Sequence, residues 1–156
     1  MRCAERSGDY CMRDIQLVLE KWAGWASNNP GVDYSHIAAG FKGLISNKEA
    51  PRLSCTDNDG IIIDSVIAKL KAVRKDEELE LIVMHYLYGV SKRGIAKKLK
   101  VSEGRVRQIM QVAEGFVDGC LAMIGVVLEM DSEVMGKQNT ADSEKVLVRY
   151  AKSMLV

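Results

Sequence analysis

The chain has 156 residues, 28% of them charged, and a formal net charge of +1. That length fits one domain able to bury roughly 70% of its unfolded surface, so no disulfide or metal staple is required. Two prolines, few aromatics and many Ala, Leu, Ile, Val, Lys and Glu residues favour an all-α fold over a sheet of hairpins. Cys3, Cys11, Cys55 and Cys120 are scattered, with no C-x-x-C and no flanking His pair, which argues against zinc and for free thiols in a reducing compartment. His36 and His85 read as packing or surface residues. The absence of a signal peptide and of any apolar run of about 18 residues sets aside export and membrane spanning. Paired carboxylates in a recognisable frame, a nucleophile motif, a glycine-rich phosphate loop and metal-ligand spacing are also missing. The sequence therefore does not read as an enzyme and asks for no cofactor or metal.

Residues 1–12 have no periodic apolar face and read as a flexible leader, with Met12 as an alternative start. The spacing of Ile15, Val18, Leu19, Trp22, Trp25 and Ala26 then predicts an amphipathic helix, ended by Asn28, Asn29, Pro30 and Gly31. Two tryptophans on such a stripe point to core, with an aromatic anchor for a partner protein as the alternative. A shorter helix follows, with Ile37, Phe41 and Leu44 inward and Asp33 or Ser35 as cap. The stretch SNKEAPRLSCTDND is polar, holds Pro51 and lacks a period, so it is an exposed loop. Asp57, Asn58 or Asp59 caps the next helix, whose Ile62, Ile63, Val66, Ile67, Leu70 and Val73 make a wide apolar face. Its basic end, Lys69 to Lys75, suits the helix dipole, and an approach to phosphate is the alternative. Asp76, Glu77, Glu78 and Glu80 open another helix, with Leu79, Ile82, Val83 and Tyr86 inward and Gly89 closing it.

Lys92 to Ile109, KRGIAKKLKVSEGRVRQI, has the pattern of a helix-turn-helix. A small residue belongs where the two helices cross and an apolar one where the first helix closes into the turn. Ala96 and Val101 take those places with Leu99 between them, and Val106 and Ile109 anchor the second helix. Glu103, Gly104, Arg107, Gln108 and Gln111 then line one exposed strip, the kind of hydrogen-bonding surface that base edges in a major groove require. The preceding helix stands where a three-helix DNA-binding unit has its supporting helix, so the motif unit spans 77–112. Seven basic residues fall between Lys92 and Gln108 against Glu103 alone, making that window +6 and the remainder of the chain −5. One basic face on a neutral protein indicates a local polyanion site. A merely solvated helix surface usually interleaves its lysines with acids at i±4, and here they mostly are not. The DNA-binding candidates are Lys92, Arg93, Lys97, Lys98, Lys100, Ser102, Glu103, Arg105, Arg107, Gln108 and Gln111.

Apolar residues continue through Met110, Ala113, Phe116, Val117, Cys120, Leu121 and Ile124, which extends the second motif helix to about Leu128. Gly115, Gly119 and Gly125 each weaken it by ~1 kcal/mol relative to Ala and predict a bend, a close helix contact or self-association. The organisation expected is a leader (1–12), a helical core (13–130), a polar linker (131–142) and a C-terminal helix (143–156). Ser143 caps that last helix, and Leu147, Tyr150, Ala151, Met154 and Leu155 share one side. It either docks on its own core or reaches another molecule.

Two resemblances add to this reading. Locally, VSEGRVRQIMQVAEG resembles the part of bacterial primary sigma factors, region 4, that reads the promoter −35 element. Across 13–131, the words RDIQLVLEKWAGWASNN, SHIAAGFKGLI, AEGFVDGCLAMI and LEMD resemble the late antitermination protein Q family of lambdoid phages, in its short, phage 21-like branch. That likeness implies a cytoplasmic factor of the bacterial host cell. It would bind a double-stranded DNA element near a late promoter, load onto a paused, sigma-containing RNA polymerase and suppress pausing and termination by acting at the RNA-exit channel. Nascent RNA and a second copy on the DNA are further partners it allows. The sigma likeness implies that Ser102 caps the reading helix and touches phosphate, that Arg105 holds backbone, and that Glu103, Arg107 and Gln108 meet base edges. Glu103 and Gly104 stand where sigma factors commonly carry an Arg-Glu pair, so a different sequence should be read. A conventional dimeric helix-turn-helix regulator, and an interaction module whose basic face meets an acidic protein, are the competing readings.

Overall fold

The computed structural model describes residues 12–45 and 51–135. Among them seven α-helices form: α1 (Ile15–Ser27), α2 (Ser35–Ala39), α3 (Asp57–Ala72), α4 (Asp76–Ile82), α5 (Lys92–Leu99), α6 (Glu103–Ile124) and α7 (Asp131–Val134). No strand is present among the described residues, and the fold is all-α. The leader up to Cys11, residues 46–50 of the long loop, the rest of the expected linker and the C-terminal helix lie outside the described residues.

Local chemistry sets the starts and stops. Asp14 caps α1 by accepting from the Leu17 amide, and Thr56, not one of the three acidic or amide residues after it, caps α3 by accepting from Asp59 N–H. Asp59 is unavailable for capping because its two carboxylate oxygens each accept a backbone N–H at 2.9 Å, from Glu129 and Met130. For α2 the cap residue is Tyr34, while Asp33 accepts from the Ser35 amide just outside the helix. The α2 helix stops at Ala39 and the chain continues in turns, which leaves Phe41 buried but Leu44 exposed, contrary to the helical spacing. Val73 is also exposed: it is the C-terminal cap residue of α3, and the chain turns away at Arg74 with φ 60°.

The core divides into two clusters that share two elements. Residues of α1, α3, α7, one side of α4 with its extension, and the later turns of α6 form the first, including Leu19, Trp22, Ile63, Leu70, Ile82, Val117 and Leu121. Phe41, Leu81, Met84, Val90, Ile95, Ala96, Val106, Ile109 and Met110 form the second, under the helix-turn-helix. The run Leu81, Ile82, Val83, Met84 is wholly buried because neighbours pack on α4 from both sides, the pattern of a central helix. A π-helical turn, Val83–Leu87, extends α4, with Tyr88 N–H bonded to Val83 C=O. Each large apolar side chain buried here contributes roughly 1.5–3 kcal/mol.

Both tryptophans belong to the core and have their polar edges satisfied. Trp22 donates to Asp64, which also accepts from Tyr34 at 2.9 Å, and Trp25 donates to Asp57 at 2.8 Å. At the other end of α6, Gly125 adopts φ 66°, and this left-handed residue stops the helix at Ile124, short of the expected Leu128. A Cβ at Gly115 or Gly119 would meet nothing within 4 Å, so neither glycine serves a close helix contact among the described residues. The first residues of the expected linker form α7 instead. Its Asp131 receives a two-pronged hydrogen bond from Arg13, at 2.7 and 3.0 Å, and the paired carboxylate raises the Arg13 pKa further.

Candidate nucleic-acid interface

The α5 and α6 helices are joined by the three residues Lys100, Val101 and Ser102. Each begins on a serine. Ser91 accepts from Gly94 N–H and Ser102 from Arg105 N–H, both at 3.1 Å. The Ser102 cap agrees with the sequence; the Ser91 cap was missed, although a serine directly before a helical run is its signal. Lys100 ends α5 in the left-handed region, φ 56°, and its N–H reaches Ala96 C=O. That geometry turns Val101 outward, so this residue is exposed and does not close the motif as the pattern requires. The half-buried Leu99 packs on the second cluster.

Ile95 and Ala96 on α5 and Val106, Ile109 and Met110 on α6 are buried against α4 and Phe41. Their burial fixes which faces remain for solvent. All eleven candidates lie on α5, in the turn or on the first turns of α6; nine are exposed, and Lys92 and Glu103 are half-buried. The early part of α6 therefore presents Gly104, Arg105, Arg107, Gln108 and Gln111, while α5 and the turn present Arg93, Lys97, Lys98 and Lys100. One relationship on the strip was not read from the sequence, although its i,i+4 spacing is the signal: Arg107 donates to Glu103 at 2.6 Å. In the free protein the guanidinium is thus held along the helix by a neighbouring carboxylate.

Behind the strip, polar contacts tie the unit to the body. Tyr86 in the π-helical turn donates to Glu114 on α6 at 2.6 Å, and burial, the hydrogen bond and that carboxylate raise the phenol pKa well above the ordinary tyrosine range. His85 Nδ1 lies 2.9 Å from Val90 C=O; a carbonyl only accepts, so Nδ1 carries the hydrogen. Arg52, from the long loop, donates to Leu87 C=O at 2.8 Å.

The family model for phage antitermination protein Q matches residues 12–129, most of the chain and all of the interface. The chain belongs to that family. A probable antitermination protein Q from Acyrthosiphon pisum secondary endosymbiont phage 1 is 53% identical over 123 residues, covering 78% of this chain and 83% of its own. A prophage antitermination protein Q homolog of Escherichia coli K12 is 44% identical over 121 residues, 77% of this chain and 94% of the relative. Antitermination protein Q of Escherichia phage 933W is 44% identical over 124 residues, 79% and 85% respectively. No solved structure matches the chain. The likeness to sigma region 4 consequently rests on sequence words within a member of the antitermination protein Q family.

Proposed function

We propose that this member of the antitermination protein Q family is a phage transcription antitermination factor that uses α5 and α6 to bind a double-stranded DNA element near a late promoter. From that element it loads onto a sigma-containing RNA polymerase paused just downstream, in the cytoplasm of the bacterial host. It then suppresses pausing and termination by acting at the RNA-exit channel. The observation that carries the DNA step is the exposed, predominantly basic face of two serine-capped helices whose opposite faces are fixed in the core. Lys and Arg on that face supply the phosphate attraction, and the α6 strip supplies groups that pair with base edges.

The test is terminator readthrough by purified polymerase on templates with and without the late-promoter DNA. Readthrough that requires both the protein and the promoter element is the expected result. Specific DNA binding without readthrough would instead make the protein a conventional helix-turn-helix regulator, and readthrough indifferent to the DNA would remove the loading step.

A further inference from the structure

We infer that the C-terminal segment 143–156 docks in cis on exposed apolar side chains where α6 ends, Met123 and Ile124 in its last turn and Val127 just beyond it. Met123 and Ile124, in the last turn of α6, are 89% and 60% exposed, the opposite face of that helix is buried, and Val127, in the segment after the left-handed Gly125, is 71% exposed. Among the described residues the adjoining strip offers no obstruction, since a Cβ at Gly119 or Gly125 would meet nothing within 4 Å.

The course of the chain selects the occupant. Arg13 Nη2 donates to Val126 C=O at 2.6 Å, beside Val127 and two residues past Ile124. The same Arg13 forms an antiparallel bridge with Met135, and Asp14 N–H bonds to Val134 C=O at 2.7 Å. The described chain therefore ends beside Arg13, whose side chain reaches the carbonyl next to Val127, and 21 residues of the sequence follow. The first seven, GKQNTAD, span at most about 24 Å when extended. The remainder carries Leu147, Tyr150, Ala151, Met154 and Leu155 at the i, i+3, i+4, i+7, i+8 spacing of one helical face. A tether this short holds the segment at an effective concentration on the order of millimolar, above that of a second copy or partner at micromolar levels. The segment also lies beyond the 12–129 family match, and the E. coli relative is 94% covered by only 77% of this chain. The tail is thereby an addition to the shared body, and the patch, at 123–127, is the part of that body nearest the end of the match.

Hydrogen exchange on the full chain, followed over a range of protein concentrations, tests this. Amides of 147–155 should exchange about tenfold or more slower than an unstructured peptide, equally at every concentration. The double variant Met123→Asp, Val127→Asp should abolish that protection while leaving the circular dichroism of the body unchanged, because both side chains are exposed. Protection that grows with concentration would assign the patch to a second copy. Fast exchange throughout, or protection that survives the double variant, would also overturn the proposal.

Discussion

Tyr86 gives its hydroxyl hydrogen to Glu114 across 2.6 Å, at the seam where the helix-turn-helix cluster meets the cluster of the body. Glu114 is only 7% exposed. Its carboxylate depends on that donor, because a buried polar group left without a partner costs far more than the bond itself contributes. Tyr86→Phe is expected to lower stability by about 1.5–3 kcal/mol in urea denaturation. Glu114→Gln keeps an acceptor for the hydroxyl and should cost less. If the two variants ranked in the opposite order, the contact would not be the structural joint described.

The same geometry sets a pH dependence. Burial first, then the bonded carboxylate, raises the Tyr86 pKa, and burial with Asp64 does the same for Tyr34. Unfolded tyrosine ionises near pH 10, so below about that pH both states hold the proton and the stabilisation is fully present. As pH rises from there towards the higher folded values, the unfolded state releases protons that the folded state keeps, and stability falls. A phenolate titration by ultraviolet absorbance should show Tyr34 and Tyr86 titrating late among the five tyrosines in the chain, with Tyr88 also raised by burial and Asp33, and one late tyrosine fewer in Tyr86→Phe. Ordinary titration of all five would contradict the buried network.

These joints explain what the sequence could and could not reveal. Helical stripes such as Val18, Leu19, Trp22 and Ile63, Ile67, Leu70 depend on spacing alone, and each is buried as expected. Leu44 and Val73 fit the same periodicity and Val101 the helix-turn-helix pattern, but they stand where a helix has ended or a left-handed residue has turned the chain, so pattern gives the wrong side. The extra residue of the π-helical turn and the bonds of Asp59 to Glu129 and Met130 arise from tertiary packing between distant segments. No local pattern encodes them. At the interface, residue types and spacing indicated the exposed strip, whereas the Arg107 to Glu103 bond needed side-chain coordinates.

Lys100 carries a cost that the interface tolerates. A non-glycine residue in the left-handed region is strained by about 1 kcal/mol, yet this position ends α5 with φ 56°. Lys100→Gly should therefore raise stability by about 0.5–1 kcal/mol in thermal or urea unfolding. Weaker DNA binding is expected from the same variant, because it removes a cation from the basic face. A variant that is no more stable than the natural protein would show that the Lys100 side chain contributes packing that offsets its backbone strain.

Lys97 and Lys98 face solvent on α5, without an ion-pair partner among the described residues. If each neutralises one phosphate, replacing either by Ala should reduce the slope of log K against log salt concentration by roughly 0.9. The loss should be similar on all DNA sequences, because phosphate contacts carry no base information. Fluorescence anisotropy over a salt series measures this. An unchanged slope would mark both lysines as solvated surface.

Arg107 and Glu103 are expected to act as a pair on base edges. The 2.6 Å bond between them holds the guanidinium along α6 before DNA arrives, which reduces the freedom the side chain must lose on binding a guanine edge. Arg107→Ala should then weaken binding to the preferred site by about 1–3 kcal/mol and relax discrimination at one base pair. Glu103→Gln retains a hydrogen-bonding partner but removes the charge, so it should produce a smaller loss at the same base pair or its neighbour. Competition binding against a library of single-base variants of the site resolves both effects. Equal weakening on every sequence by Arg107→Ala would assign this residue to a phosphate, and the pairing with Glu103 would then have no part in reading sequence.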